Sequence, residues 1–61
     1  MATFEIYKDA GKLYRWRLKA DNAEIIATGE AYTTKQGCKG GVASVRSSAP
    51  NAAEKDLTGE K

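Results

Sequence analysis

Strict alternation of apolar and cationic residues in the segment Tyr14–Lys19 is the feature that most constrains what this chain can fold into. A side-chain period of two sends Tyr14, Trp16 and Leu18 to one face of a β-sheet and the intervening side chains to the other. The segment therefore predicts a half-buried antiparallel strand with a strongly basic outer face. The cationic residues of that outer face are Arg15, Arg17 and Lys19.

Two further strands are predicted on either side of this segment. Thr3–Lys8 alternates in the same way, and Glu24–Ala31 is rich in β-branched residues. The turn residues between the first two strands include Gly11, which is available for a positive φ. A three-residue loop of Ala10, Gly11 and Lys12 aligns both faces of the first hairpin. It places Ile6 opposite Trp16 and Glu5 opposite Arg17.

The second hairpin allows two registers. A two-residue Asn22-Ala23 turn puts Ile25 and Ala27 in the core, Trp16 over Gly29, and Arg15 beside Glu30. A three-residue loop would put Ile26 inside instead. We favour the first register because the second places Glu30 on the core face, although Ala23 disfavours the positive φ of a type I′ turn.

A helix is predicted after the third strand. Thr33 has the capping-box spacing to Gln36, and Cys38, Val42 and Val45 form one apolar stripe. Ala49-Pro50 ends the helix because the residue before proline avoids helical dihedral angles. The helix glycines allow either a close approach to the sheet or a local distortion. The predicted core comprises Phe4, Ile6, Tyr14, Trp16, Leu18, Ile25, Cys38, Val42 and Val45.

The length of 61 residues indicates a single domain near the limit of independent stability. The ordered core is expected over about residues 3–50, with 51–61 as a final strand or a tail. With one cysteine and no histidine, the chain has no internal disulfide and no zinc site, and we expect no cofactor. Association into a homodimer is the remaining means of stabilisation. The unpaired thiol and the absence of a signal peptide or membrane span indicate a cytoplasmic protein.

A candidate interaction surface lies on the open face of the sheet. It consists of Tyr7, Arg15, Arg17, Lys19 and an exposed Ile26. Such a face could contact single-stranded nucleic acid by stacking and by phosphate contacts. Acidic neighbours dilute its charge, and the net charge is only +2. A solvated face of paired charges, or a protein interface that includes Ile26, accounts for the same residues.

Catalysis is not indicated by the sequence. Cys38 stands near the predicted helix start, where a thiolate would be favoured, but no histidine is present to activate it. Its position in the apolar stripe favours a buried core thiol. We therefore predict a non-catalytic structural or interaction module, with weak single-stranded nucleic-acid binding as the alternative.

Several segments, taken in order, resemble the YegP-like family of small bacterial proteins of unknown function. They are Phe4–Asp9, Tyr14–Ala20, Glu24–Glu30, Tyr32–Lys35 and Cys38–Pro50. The resemblance implies an α+β fold of β-β-β-α-β type, an antiparallel sheet with one helix packed on one face. It also implies that two copies build one continuous sheet and exchange their final strands. In this chain Asp56-Leu57-Thr58 occupies the place of that strand, so the resemblance implies a homodimer.

Overall fold

A computed structural model describes residues 1–61, the whole chain, as an α+β fold. Strands β1 (Thr3–Lys8), β2 (Tyr14–Lys19) and β3 (Ile25–Thr28) form one antiparallel sheet in the order β1-β2-β3. Helix α1 (Lys35–Ser48) packs on β1 and β2 and does not reach β3. A 3₁₀ turn, Ala49–Asn51, follows α1, and residues 52–61 have no regular secondary structure. The α+β class, with an antiparallel sheet and one helix, and the bounds of β1 and β2 are confirmed. β3 is shorter than the predicted Glu24–Ala31, and the single chain forms no final strand after α1.

The first hairpin has the predicted register. Ile6 pairs with Trp16 and Glu5 with Arg17. The three-residue loop is closed by a hydrogen bond from the Asp9 amide to the Leu13 carbonyl, 2.9 Å long. The residue with positive φ is Lys12, at 64°, and not Gly11 as expected. The loop closes as a tight turn followed by one left-handed residue, which falls at its third position.

The second hairpin has the same kind of loop, and the predicted two-residue turn is wrong. The Ala20 amide donates to the Glu24 carbonyl at 2.9 Å, which leaves three residues in the loop. Ala23, the third of them, has a φ of 68°. A type I′ turn would require positive φ at two central positions, whereas this loop requires it at one. The longer loop therefore places fewer residues with a Cβ in the left-handed region.

A β-bulge absorbs the extra residue. Lys19 pairs with Ile25 while Leu18 pairs with Ala27, so Ile26 is left over between them. Beyond the bulge the favoured register returns, and the Gly29 amide donates to the Trp16 carbonyl at 3.0 Å. Cross-strand partners share a face, so Ile25 lies on the open face beside Lys19. Its exposed fraction is 49%, so its predicted place in the core is wrong.

Helix α1 begins one residue later than the capping-box pattern predicted. The N-cap is Thr34, whose hydroxyl accepts a hydrogen bond of 3.0 Å from the Gly37 amide. Because the third helical residue is a glycine, no side chain can reach back to the cap, and the proposed pairing of Thr33 with Gln36 does not form. The helix ends at Ser48, directly before Ala49-Pro50, as expected. The predicted reason is wrong, however, because Ala49 keeps helical dihedral angles (φ −59°, ψ −43°) and the chain continues as a 3₁₀ turn.

The core is small and centres on Trp16, which is 6% exposed. A Cβ atom on Gly29 would overlap the Trp16 indole, and a Cβ atom on Gly41 would overlap the Tyr32 hydroxyl. Both glycines thus allow the backbone to approach aromatic rings closely, which resolves the role of Gly41 in the helix. The buried residues are Trp16, Cys38 and Val42, and the partly buried ones around them are Phe4, Ile6, Tyr14, Leu18, Ala27, Tyr32 and Val45.

Tyr32 is a core residue that the sequence pattern did not identify. It lies outside the strands but exchanges two hydrogen bonds of 2.8 Å with the backbone of Tyr14. This isolated bridge extends the second strand pair past the end of β3 and carries the chain toward α1. Alternation from Glu30, which the favoured register places on the open face, would put Tyr32 on that face too, so periodicity gave no signal for its place in the core.

Candidate functional site

The open face of the sheet brings four of the five candidate residues together. Tyr7, Arg15, Arg17 and Lys19 alternate with core residues along β1 and β2 and share the face opposite α1. The fifth, Ile26, lies at the bulge of β3 and is 58% exposed. We call the surface formed by Glu5, Tyr7 and the three cations of β2 the open-face ladder.

Glu5 joins two of these cations. The Arg17 Nε donates a hydrogen bond of 2.7 Å to Glu5 Oε1, and Lys19 Nζ lies 3.6 Å from the same oxygen. The hydrogen bond from Arg17 is the main cause that lowers the pKa of the Glu5 carboxyl below its ordinary value, and the charge of Lys19 adds to it. The carboxylate is therefore held in its ionised form by the two cations.

Arg17 also covers the only aromatic ring of the ladder. Its guanidinium carbon lies 4.8 Å from the centroid of the Tyr7 ring, within the range of a cation–π contact. Since Arg17 is fixed by Glu5 at the same time, the ring face beneath it is not free to stack on a base. Arg17 and Tyr7 are therefore bound to groups within the protein and are not available to a nucleic-acid base.

The third cation, Arg15, has a partner other than the expected one. Its Nη1 lies 3.5 Å from Asp9 Oδ2, whereas Glu30 falls beyond the end of β3 and makes no ion pair with it. The second oxygen of Asp9 accepts from the Leu13 and Gly11 amides at 3.0 and 2.9 Å. The hydrogen bond from Leu13 is the main cause that lowers the pKa of the Asp9 carboxyl.

The open-face ladder is thus a set of paired, half-exposed charges. The side chains of Arg15, Arg17 and Lys19 are 38%, 35% and 30% exposed, and each is within reach of a carboxylate. Exposed pairs of this kind contribute about 0–1 kcal/mol each. They neutralise much of the positive field that a polyanion would meet.

Other candidate chemistries have no assembled site. Cys38 belongs to α1 and is fully buried, as its place in the apolar stripe predicted. No group of three or more metal-ligating side chains lies close together, and the surface has no pocket. No helix has both the length and the apolar character of a membrane span.

The cations of α1 were not singled out by the sequence reasoning. Lys35, Lys39 and Arg46 lie on a helix that contains no acidic residue, and none of them makes an ion pair. The absence of Asp and Glu between residues 35 and 48 is visible in the sequence and is the signal that could have identified them.

A three-stranded antiparallel sheet with one helix on one face and a charged opposite face defines a small α+β domain without an evident reaction centre. Residues 9–56 match the family described as a domain of unknown function, DUF1508, and the chain belongs to that family. It is 60% identical over 50 residues to a UPF0339 protein of Treponema denticola, covering 82% of this chain and 86% of the relative. It is 47% identical over 47 residues to YegP of Escherichia coli, covering 77% of this chain and 43% of YegP.

The fold is shared with a solved archaeal structure. The solution structure of a Haloferax volcanii protein matches with a TM-score of 0.83 and 46% identity, covering 92% of this chain and 95% of that one. The resemblance to the YegP-like family is therefore confirmed. Its description as bacterial is too narrow, because archaeal proteins are also similar.

Proposed function

We propose that this protein is a non-catalytic structural or interaction module that acts as a homodimer, in which the C-terminal segments are exchanged. The observation that carries the proposal is the accessible surface of the single chain, 5065 Å². A compact monomer of 6.6 kDa is expected to expose about 3,900 Å². The excess of about 1,200 Å² is larger than the roughly 800 Å² that each partner buries in a standard interface.

The C-terminal segment accounts for much of this excess. Residues 52–61 are exposed throughout, and Leu57 is 89% exposed. The radius of gyration is 13.8 Å, against about 10.5 Å for a compact domain of this length. Ten extended residues reach about 33 Å, which is enough to cross a neighbouring sheet. A segment with a large apolar side chain and no intramolecular partner fits addition to a second copy.

The sheet offers an edge that such a segment could occupy. β3 is an edge strand, and α1 does not contact it. Its outer backbone groups have no partner in the single chain, and Ile25 and Ile26 are both exposed. An unpaired edge next to apolar side chains is a template for strand addition from another chain. The buried Cys38 and the paired charges of the open face support a module without a catalytic role.

The test is sedimentation of the full chain across a dilution series, with chains that end at Lys55 and at Gly59 as the truncated variant and its control. We expect the full chain and the longer control to be dimeric, and the shorter chain to dissociate at higher concentration. A folded monomer of the full chain at every concentration would refute the dimer. Unchanged association of the chain ending at Lys55 would refute strand exchange.

Two further inferences concern the cellular location of the protein and an alternative function. The unpaired thiol of Cys38 supports a reducing, cytoplasmic location. Single-stranded nucleic-acid binding by the open-face ladder is the alternative function, and the positions of Arg15, Arg17 and Lys19 on one face support it. This alternative predicts that a single-stranded oligonucleotide binds the protein at low salt and that Arg17→Glu abolishes the binding. Absence of binding at low salt would exclude the alternative.

A further inference from the structure

The cations of the open-face ladder and those of α1 differ in their partners. Those of the open-face ladder lie within 3.6 Å of a carboxylate oxygen. Lys35, Lys39 and Arg46 of α1 make no ion pair, and α1 contains no acidic residue. Lys12, Lys55 and Lys61 also make no ion pair, but they lie in a loop and in the C-terminal segment. The largest group of unpaired cations on one element is therefore on the helix, on the side of the sheet opposite the ladder.

The three helix cations form a single stripe. At 100° per residue, Lys35, Lys39 and Arg46 fall within a sector of about 40° around the helix axis and span about 16 Å along it. The Arg46 guanidinium lies 5.3 Å from the ring centroid of Phe4, so this sector faces the β1 side. Lys8, at the end of β1 on the helix-covered face, also lacks an ion pair, and its Nζ lies 5.2 Å from the Tyr14 ring centroid. We call these four residues the helix stripe.

The two lysines of the helix stripe are unfavourable for the stability of α1, whereas Arg46 in the last turn is favourably placed for the helix dipole. Lys35 and Lys39 are like charges one turn apart, and both lie near the positive end of the helix dipole. The repulsion costs roughly 0.2–0.5 kcal/mol, and a cation in the first turn costs roughly 0.3–1 kcal/mol. No carboxylate of the chain forms an ion pair with these cations, so they are free to pair with a negative partner from outside the chain.

The surface beside the helix stripe narrows the chemistry of that partner. The helix positions next to it carry small or polar residues, and Gly40 has open space around its Cα. No large exposed apolar side chain lies on α1, so the face lacks the means to insert into a membrane. No exposed aromatic residue lies there either, so base stacking is not available. The remaining mode of binding is charge attraction between the helix stripe and a polyanion with regularly spaced charges.

We propose that the helix stripe binds the phosphate backbone of duplex nucleic acid without sequence preference. The span of about 16 Å covers about five base-pair steps of 3.4 Å. Two cations one turn apart and a third two turns farther on can contact successive phosphates, while the small residues let the backbone come close to the helix. The stripe is complete within one copy, so this inference does not depend on the homodimer.

The experiment is fluorescence anisotropy with a labelled 20-base-pair duplex at several salt concentrations. With three or four phosphate contacts, log K should fall with log salt at a slope of about −3, so raising salt fourfold weakens binding about 60-fold. The double variant Lys35→Gln and Lys39→Gln should reduce the slope to about −1. Lys12→Gln and Lys55→Gln remove the same charge elsewhere and should leave the slope unchanged.

Each result bears on the proposal. Circular dichroism of the helix variant should show an intact fold, because the substitutions remove a repulsion. No binding of wild-type protein to the duplex at low salt would overturn the inference, and so would equal losses in the two double variants. Binding that is lost in Arg15→Gln with Arg17→Gln but kept in the helix variant would transfer the site to the open-face ladder. Binding to anionic vesicles without binding to the duplex would also overturn it.

Discussion

Substitution of Gly29 tests whether the close packing of Trp16 sets the stability of the fold. A Cβ atom on Gly29 would overlap three atoms of the indole, namely Nε1, Cε2 and Cδ1. The indole cannot move away easily, because α1 also approaches it: a Cβ position on Gly41 would lie 3.4 Å from Nε1, and Trp16 is 6% exposed. In Gly29→Ala either the strand or the ring must shift, and α1 must shift with it.

The expected cost is large for a chain of this size. Overpacking of a core costs about 1–3 kcal/mol, and three overlapping atoms place this substitution at about 3 kcal/mol. A domain of 61 residues has a total stability of roughly 3–9 kcal/mol. A loss of about 3 kcal/mol lowers Tm by roughly 12–24 °C at a rate of 4–8 °C per kcal/mol.

Trp16 is the only tryptophan, so thermal unfolding can be followed by its fluorescence. We expect Gly29→Ala to lower Tm and shift the folded-state emission to longer wavelength. Gly40→Ala, where the new methyl group meets open space, should instead stabilise α1 by about 1 kcal/mol. Both are compared with wild type at one protein concentration, since association changes apparent stability. A Gly29→Ala protein with wild-type Tm and emission would refute the packing described for Trp16.

Two further predictions concern the hairpin loops. Ala23→Gly should raise the free energy of unfolding, measured by denaturation, by about 0.5–1 kcal/mol, because Ala23 has a φ of 68° and glycine adopts this conformation at little cost. The control Ala10→Gly, where φ is negative, should lower the free energy of unfolding in the same assay. A loss of stability in both variants would contradict the loop geometry. Folding lowers the pKa of Asp9. The stability that the ionised Asp9 contributes is therefore fully present above the unfolded pKa of about 4 and is lost as the pH falls through the folded pKa. Tm of the wild type should therefore fall more steeply below pH 4 than Tm of Asp9→Asn, and parallel curves would show that the hydrogen bonds to Asp9 do not favour its ionised form.

The first hairpin and the row of apolar residues on α1 follow from local pattern. Alternation in β1 and β2 fixes which side chains face the core, and one loop length makes both faces of the pair agree, so the register is over-determined. The spacing of Cys38, Val42 and Val45 likewise identifies the buried side of α1. These features depend on side chains that are near one another in sequence, which is why they can be predicted.

The second hairpin shows what local pattern leaves open. Two successive isoleucines at the start of β3 fit either face, so alternation cannot choose between the registers. The structure combines them: the loop uses one left-handed residue, and a bulge at Ile26 returns Ala27 to the core opposite Leu18. The position of a bulge depends on how the whole sheet packs, and the sequence of one strand does not specify that packing.

The cap of α1 and the pairing of the open face were decided in the same way. Thr33 and Thr34 are both suitable caps, and the second is used because Tyr32 is fixed against Tyr14. Arg15 pairs with Asp9 because β3 ends before Glu30. The sequence alone determined the faces of β1 and β2 and the buried side of α1, since these rest on periodicity, while the family was indicated by the resemblance of particular segments. Only the tertiary structure decided the loop of the second hairpin, the bulge of β3, the cap of α1 and the ion pairs of the open face. Each of these depends on the positions of segments that are distant in sequence.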